Sequence, residues 1–306
     1  MAPDQNESPK EKDLWNALPT LQGIERGQTY FDLSLMAFEQ GEHTKSLALA
    51  ETACSCFLEH SDEVGYANCL TSVAFNLHAL GRKEEAISAM FKAVMRFAKT
   101  SDSQEWEYRG YLAQWLRDAG EIEMALIQYR KCFDHYDSEN FEMAIANVTD
   151  NIGQLLCELD RCDEAIVAFQ KSREMVKREG EPGLVACADI AIARCFNHLK
   201  DGHSAKDYAY RAIGVFDSTS NNFKRAQAYA QLGRAFNVLE QYEEGLEALE
   251  TAHRLVTGWK SIDFHAIYAI QKSKVRALRG LGRESEATII ERRNSVINET
   301  LGLEQK

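Results

Sequence analysis

Short turns recur along this chain at an almost constant spacing. The steps between successive turn residues are 40, 39, 40, 40, 40 and 42 residues. A fixed period in this range is typical of repeat architectures, in which each unit packs only on its neighbours. The turn residues are Gly41, Gly81, Gly120, Asp160, Lys200, Glu240 and Gly282.

The size of the side chains around each turn also repeats. Steps of three and four residues place side chains on one face of a helix, so the pattern predicts a helix A, a tight turn and a helix B. Five residues after the turn stand small residues: Ser46, Ala86, Ala125, Ala165, Ala205, Gly245 and Ala287. Seven residues before it stand small residues again: Ser34, Ala74, Ala113, Gly153, Ala193 and Gly233. Four residues before it stand mostly large ones: Ala37, Leu77, Leu116, Leu156, Phe196, Phe236 and Leu278.

This pattern resembles the tetratricopeptide repeat (TPR), a helical hairpin with a small residue packed on a large one. The strongest matches are the segments 152–156 and 232–236, the first followed by Ala165 and Phe169. The usual TPR period is about 34 residues, so the longer period resembles kinesin light chain and Rap-type peptide-sensing repeats. The resemblance implies an all-α fold, a right-handed α-solenoid of about seven TPR-like hairpins.

Three segments are expected along the chain. Residues 1–12 are polar and are expected to form a disordered N-terminal tail. Residues 13–26 carry apolar side chains at near-helical spacing, interrupted by Pro19, and are expected to form an N-terminal capping helix. Residues 27–306 are expected to form the solenoid, closed by a C-terminal capping helix.

Composition argues against several classes of protein. The net charge of −12 opposes nonspecific nucleic-acid binding by the whole surface. The eight cysteines are spread singly through helical patterns, so neither a disulfide framework nor a metal site is expected. Without a signal-peptide pattern or a long apolar run, a cytoplasmic location and no membrane contact are expected.

The TPR resemblance also implies which positions bind a partner. Helix A lines the concave side in that family, and positions 13, 10, 6 and 3 before each turn residue would face the groove. We expect an apolar end, a set of amides that pair with an extended peptide backbone, and a basic far half that grips carboxylates. The predicted groove residues are Phe31, Leu35, Phe75, His78, Arg117, Asn147, Gln154, Arg194, Asn197, Gln227, Arg234, Asn237, Lys272, Arg276 and Arg279.

Two simpler interpretations stand beside this one. Phe31, Leu35 and Phe38 could instead pack under the N-terminal segment. The basic residues could merely balance acidic neighbours. The segregation of positive residues at predicted concave positions, in a chain of net charge −12, favours a binding groove.

The sequence therefore predicts a binding protein. The phosphate-cradling glycine motifs, the nucleophile elbow and the His-Glu-x-x-His motif are absent, so neither an enzyme nor a cofactor is expected. The predicted function is a peptide-binding scaffold or adaptor whose partner carries an acidic or carboxylate-bearing tail. The alternatives are a regulatory peptide sensor that changes shape on binding, and a self-assembling structural protein that forms homo-oligomers. No nucleic-acid partner is expected.

Overall fold

The computed structural model describes residues 8–257 and 264–301, and within these ranges the chain is helical throughout. Leu18–Thr20 forms a short 3-10 turn, and within the described ranges none of the helices is both long and apolar enough to span a lipid bilayer. The α-helices are α1 Pro9–Ala17, α2 Gly23–Glu39, α3 His43–Glu59, α4 Glu63–Ala79, α5 Lys83–Thr100, α6 Gln104–Asp118, α7 Ile122–Glu139, α8 Glu142–Glu158, α9 Cys162–Arg178, α10 Pro182–His198, α11 Gly202–Phe216, α12 Asn222–Val238, α13 Tyr242–Thr257, α14 Phe264–Gly280 and α15 Glu284–Leu301.

The helices form two compact units rather than one body. The first unit ends at His135 and the second begins at Tyr136. The sequence predicted one uninterrupted array over residues 27–306. Repeats of this kind contact only their neighbours, so a long array has no single core that would hold it together as one compact unit.

All seven predicted turn residues adopt the left-handed conformation, with φ between 59° and 84°. The reversal at Gly81 shows the arrangement. The amide of Gly81 donates to the carbonyl of His78 at 3.0 Å, and the amide of Arg82 donates to the carbonyl of Leu77 at 2.9 Å. These bonds satisfy carbonyls that the end of α4 would otherwise leave unpaired.

The turns between repeats use the same geometry. Ser61, Ser101, Asn140 and Gly180 also have positive φ, and each lies about midway between two of the predicted turn residues. The chain thus reverses about every 20 residues over residues 41–200, and helices A and B have nearly equal lengths. The sequence analysis found only every second reversal, because serine and asparagine mark a left-handed turn less clearly than glycine does.

Small residues let the two helices of a hairpin pack closely. A Cβ atom added at Gly153 would lie 2.8 Å from the ring of Phe169, and one added at Gly233 would lie 2.5 Å from Cγ of Leu249. Phe169 and Leu249 are fully buried. The predicted pairing of a small residue on helix A with a large one on helix B is confirmed at both positions.

The N-terminal segment differs from the sequence prediction. Residues 9–12 were assigned to a disordered tail, but α1 begins at Pro9, and Ser8 Oγ accepts from the amide of Glu11 at 3.2 Å. Glu11 is buried and receives hydrogen bonds from Lys45 at 3.1 Å and Gln40 at 3.2 Å. A polar composition hid this helix, because its anchor is an ion pair to a residue far along the chain. The tail residues 1–7 lie outside the described residues.

The predicted capping helix of residues 13–26 is also divided. The 3-10 turn follows α1, and α2 already begins at Gly23, where φ is +58°. Leu14, Trp15 and Leu18 pack on a cluster in the first hairpin that includes Leu33 and Leu49. The segment therefore caps the first repeat, as expected, but with different boundaries.

A matched pair of glycines tests the packing of the hairpins. Gly233→Ala should lower the free energy of unfolding by about 1–3 kcal/mol, because the new methyl group overlaps Leu249 and the carbonyl of Gly245. Gly214→Ala should raise it by about 1 kcal/mol, because nothing lies within 4 Å of the added atom and alanine favours the helix. Urea denaturation checks both variants, and equal effects would show that the assigned packing is wrong.

The left-handed turns provide a second test. Glu240 has a φ of 60°, a conformation that costs a residue other than glycine about 1 kcal/mol or more. Glu240→Gly should therefore raise the free energy of unfolding by about 0.5 kcal/mol, after the greater freedom of glycine in the unfolded chain is subtracted. The neighbouring change Gln241→Gly should give no such gain in the same thermal denaturation assay, because Gln241 lies outside the set of residues with positive φ.

Candidate functional site

A cleft of about 600 Å³ lies in the second unit. Helices α10, α12 and α14 line it, and α12 contacts both of the others. Each is the A helix of its repeat, so the cleft follows from the side-by-side packing of equivalent helices. We call this site the cationic cleft. Its lining residues are Arg194, Asn197, His198, Arg234, Asn237, Val238, Tyr268, Ala269, Lys272, Ser273 and Arg276.

The cationic cleft brings together six of the fifteen predicted groove residues. They stand ten, six or three positions before the turn residues Lys200, Glu240 and Gly282, as the repeat register predicted. They are Arg194, Asn197, Arg234, Asn237, Lys272 and Arg276. Their role in binding a partner remains a prediction, whereas their shared location is a property of the fold.

Four cations of the cleft lack an acidic partner. Among the residues that the structure describes, Arg194, Arg234, Lys272 and Arg276 form no ion pair with a carboxylate, although the chain carries 47 acidic residues. Arginines elsewhere in the unit are paired. Arg161 contacts Glu164 at 2.6 Å, and Arg283 contacts Glu286 at 2.7 Å. The interpretation that these cleft cations only balance acidic neighbours therefore does not fit.

Arg234 is the most enclosed of these cations. Its Nε atom donates to Ser273 Oγ at 3.2 Å. Loss of solvation lowers the pKa of the guanidinium, and the charge of Arg194 lowers it further. A desolvated cation beside a second cation is unfavourable on its own, and an anion that entered the cleft would relieve both effects.

Two asparagines of the cleft fasten neighbouring A helices to one another. Nδ2 of Asn197 donates to the backbone carbonyl of Gln231 at 3.0 Å, and Nδ2 of Asn237 donates to that of Ser273 at 2.9 Å. Both residues lie three positions before a turn residue. We expected these amides to pair with a peptide backbone through donor and acceptor together. Their donors are already used within the chain, while their Oδ1 atoms are buried without a partner.

The other predicted residues of the second unit lie outside the cationic cleft. Arg279 forms ion pairs with Glu284 at 3.1 Å and Glu291 at 2.9 Å, so it is neutralised by α15. Gln154 donates to Asp150 at 2.7 Å. Asn147 lines a smaller cleft of about 100 Å³, and Gln227 is half-buried on α12.

The predicted apolar end belongs to the first unit. Phe31 packs against a buried cluster around Phe57, whereas Leu35 is 42% exposed. The described part of the N-terminal segment packs instead on the cluster of Leu33, Ala37 and Leu49, so it does not bury Leu35.

The remaining predicted residues of the first unit lie near an aromatic cluster. The ring of Phe75 lies edge-on to Tyr111 and Trp115, with centroids 5.2 and 5.3 Å away. His78 stacks on Trp115 at 4.5 Å. Arg117 is half-buried.

The sequence analysis missed several lining residues of the cationic cleft. Tyr268 directly precedes the expected position Ala269, and His198 directly follows Asn197. His198 is held by Asp160 through an Nε2–Oδ1 contact of 3.1 Å. Ser273 lies beside Lys272. All three lie next to predicted positions, so a wider stripe of each helix face would have included them.

The expectation that no cysteines cluster is wrong for three of the eight. The sulfur atoms of Cys157, Cys162 and Cys195 all lie within 4.8 Å of one another. Hydrogen bonding from Cys195 lowers the pKa of Cys157, and the nearby guanidinium of Arg194 lowers it further. Cys195 lies 38 positions after Cys157, two short of the repeat step, so the register could have placed them on neighbouring A helices.

Comparison with known proteins supports the fold. No protein-family model matches the chain. The apo form of RapI has a TM-score of 0.68 and 16% identity, over 90% of this chain and 98% of that one. BtubC (BKLC) from P. vanneervenii has a TM-score of 0.59 and 16% identity, over 73% of this chain and 92% of that one.

One curated relative matches at the level of sequence. Protein KINESIN LIGHT CHAIN-RELATED 2 of Arabidopsis thaliana is 24% identical over 141 residues, which span 44% of this chain and 21% of that protein. The chain thus matches only about a fifth of the length of this relative. The structural similarities confirm an all-α helical-repeat solenoid and its resemblance to TPR-like kinesin light chain and Rap repeats.

The state of Arg234 can be tested by its effect on stability. Arg234→Met should leave the free energy of unfolding unchanged or raise it by about 1 kcal/mol, because an apolar chain of similar length replaces a desolvated and unpaired charge. Arg173→Met is the matched control in the same unit. Arg173 contacts the buried Asp189 at 2.6 Å, so its removal should cost about 3 kcal/mol. Urea denaturation in the absence of any ligand would contradict this reading if both variants lost stability equally.

Proposed function

We propose that this chain is a non-catalytic protein-interaction scaffold that binds an acidic peptide segment in the cationic cleft. One observation carries the proposal: four cations line one cleft without carboxylate partners, in a protein of net charge −12. Within the part of the chain that the structure describes, this arrangement leaves a concentrated positive site on an acidic protein.

Charge selects the class of ligand. Arg234 and Arg194 lower each other's preference for the charged state, and a carboxylate between them would offset that repulsion. Arginine guanidinium groups can hold a carboxylate with two parallel hydrogen bonds. The exposed Lys272 and Arg276 on α14 supply further positive charge at the same cleft. A ligand with two or more carboxylates fits these four cations better than a neutral one does.

Size and lining favour a peptide segment. A volume of about 600 Å³ falls in the range of small-ligand sites, about 300–1,000 Å³, and it accommodates a few side chains of an extended chain. Tyr268 adds an aromatic surface beside the polar groups, and such residues anchor apolar side chains in protein interfaces. An acidic segment with one apolar side chain matches both features.

The architecture is consistent with a scaffold. The fold is shared with RapI and BtubC (BKLC), and helical repeats of this type present an extended row of equivalent helices to a partner. The asparagine bonds between α10, α12 and α14 hold the cleft in place before any ligand arrives. A preformed site of this kind loses little conformational entropy on binding.

A binding assay with matched peptides tests the proposal. A fluorescein-labelled peptide of glutamates around one leucine should bind the wild-type chain, and the same peptide with glutamines should not. The combined change Arg194→Glu, Lys272→Glu and Arg276→Glu should weaken binding about 100-fold, because each lost ion pair contributes about 1 kcal/mol. Fluorescence anisotropy measures both, and high salt should weaken the wild-type interaction as well.

A charge-matched variant controls for the change in net charge. Lys177→Glu, Arg292→Glu and Arg293→Glu alter three exposed cations of the same unit that lie away from the cleft. This variant should keep nearly wild-type affinity. Equal loss in both variants would mean that only the overall charge matters, and tight binding of the glutamine peptide would overturn the proposed class of ligand.

A further inference from the structure

Three cysteine side chains converge at the ends of three helices in the second unit. Cys157 lies near the end of α8, Cys162 is the first residue of α9, and Cys195 lies in α10. The Sγ atoms of Cys157 and Cys195 are 3.1 Å apart, and all three sulfurs lie within 4.8 Å of one another. Among the described residues, this is the one group of three or more such side chains close enough to share a metal ion.

We propose that these three thiols form a site for one thiophilic metal ion, bound through three sulfur atoms. Metal–sulfur bonds of about 2.3 Å hold neighbouring sulfur ligands about 4 Å apart in trigonal or tetrahedral geometry. The observed separations span that value, so each sulfur needs to move by less than about 1 Å. The three helices supply the ligands from fixed backbone positions.

The surroundings of the thiols favour a negatively charged complex. Binding releases the three S–H protons to solvent and forms three metal–sulfur bonds, and no atom changes its oxidation state. Three thiolates around a monovalent or divalent ion leave a net negative charge. The guanidinium of Arg194 lies beside Cys157, and the N-terminus of α9 lies at Cys162. Both offset that charge.

The ligand set selects the class of metal ion. Thiolates favour soft ions such as Cu⁺ and Zn²⁺, whereas Mg²⁺ and Ca²⁺ require oxygen ligands. Cys162 and Cys195 are buried, and Cys157 is half-buried, so a fourth position on the side of Cys157 is open to solvent. Cu⁺ would be satisfied by the three sulfurs, whereas Zn²⁺ would add a water molecule.

This site is independent of the proposed peptide function. The two share Arg194, which lines the cationic cleft and approaches the thiols. The thiols themselves, however, lie outside the lining of the cleft. A chain that fails to bind acidic peptides could still bind the metal ion, and the reverse also holds.

Metal titration of the full chain tests the proposal. The protein is reduced with a phosphine, freed of metal with a chelator, and titrated anaerobically with Zn²⁺ or Cu⁺ against a chromophoric competitor. One arm should show a single tight site per chain. Replacement by Co²⁺ should give near-ultraviolet sulfur-to-metal charge-transfer bands, and X-ray absorption should report three sulfur ligands.

Serine variants assign the ligands. Cys157→Ser should weaken binding more than tenfold, since even the loss of an outer-shell partner costs about that much. Cys187→Ser is the matched control, because Cys187 is a half-buried cysteine of the same unit outside the cluster. It should bind as tightly as the wild-type chain. Circular dichroism checks that each variant keeps its helices, and the X-ray absorption result on the wild-type chain does not depend on any variant.

Three results would overturn the proposal. The first is wild-type protein that binds neither ion in competition with the chromophoric chelator. The second is equal loss of binding in the Cys157→Ser and Cys187→Ser variants. The third is a reduced protein that takes up no metal but loses two thiols per chain in air, since Cys157 and Cys195 would then act as a disulfide pair.

Discussion

The regular reversal of the chain is the constraint on which the rest of the structure depends. Gly41, Ser61, Gly81 and Ser101 follow one another at intervals of 20 residues, and each adopts the left-handed conformation that ends a helix. The helices therefore have similar lengths, and equivalent positions on successive A helices come close together. Within the second unit this puts side chains that are about 40 residues apart in sequence into one cleft.

The same helix contacts explain why the cationic cleft has its particular electrostatics. Asn197 and Asn237 bond α10 to α12 and α12 to α14 through backbone carbonyls, and Arg234 bonds to Ser273. These polar contacts hold the helices in register but provide no negative charge. The cations between them remain uncompensated, and the loss of solvation around Arg234 makes that imbalance costly. A site of this type stabilises an anion through groups that already occupy fixed positions.

The repeat could be predicted from sequence, because side-chain size recurs with a fixed step and depends on local packing. The small residue at Gly233 facing Leu249 is an example. What the sequence could not show depends on distant partners. Glu11 is buried by Lys45 and Gln40, and Arg279 is neutralised by α15. The predicted positions of the cleft were sound because they follow the register, whereas the pairing of each charge is decided by neighbours outside it.

A crystal structure of the chain with a bound acidic peptide would test the central claim most directly. The claim is that the four unpaired cations of the second unit form the binding site for carboxylates. The account predicts peptide carboxylate oxygens within hydrogen-bond distance of Arg234 and of Arg276, with Tyr268 against an apolar side chain. A peptide bound to another surface, with the cationic cleft unchanged and empty of carboxylates, would contradict it.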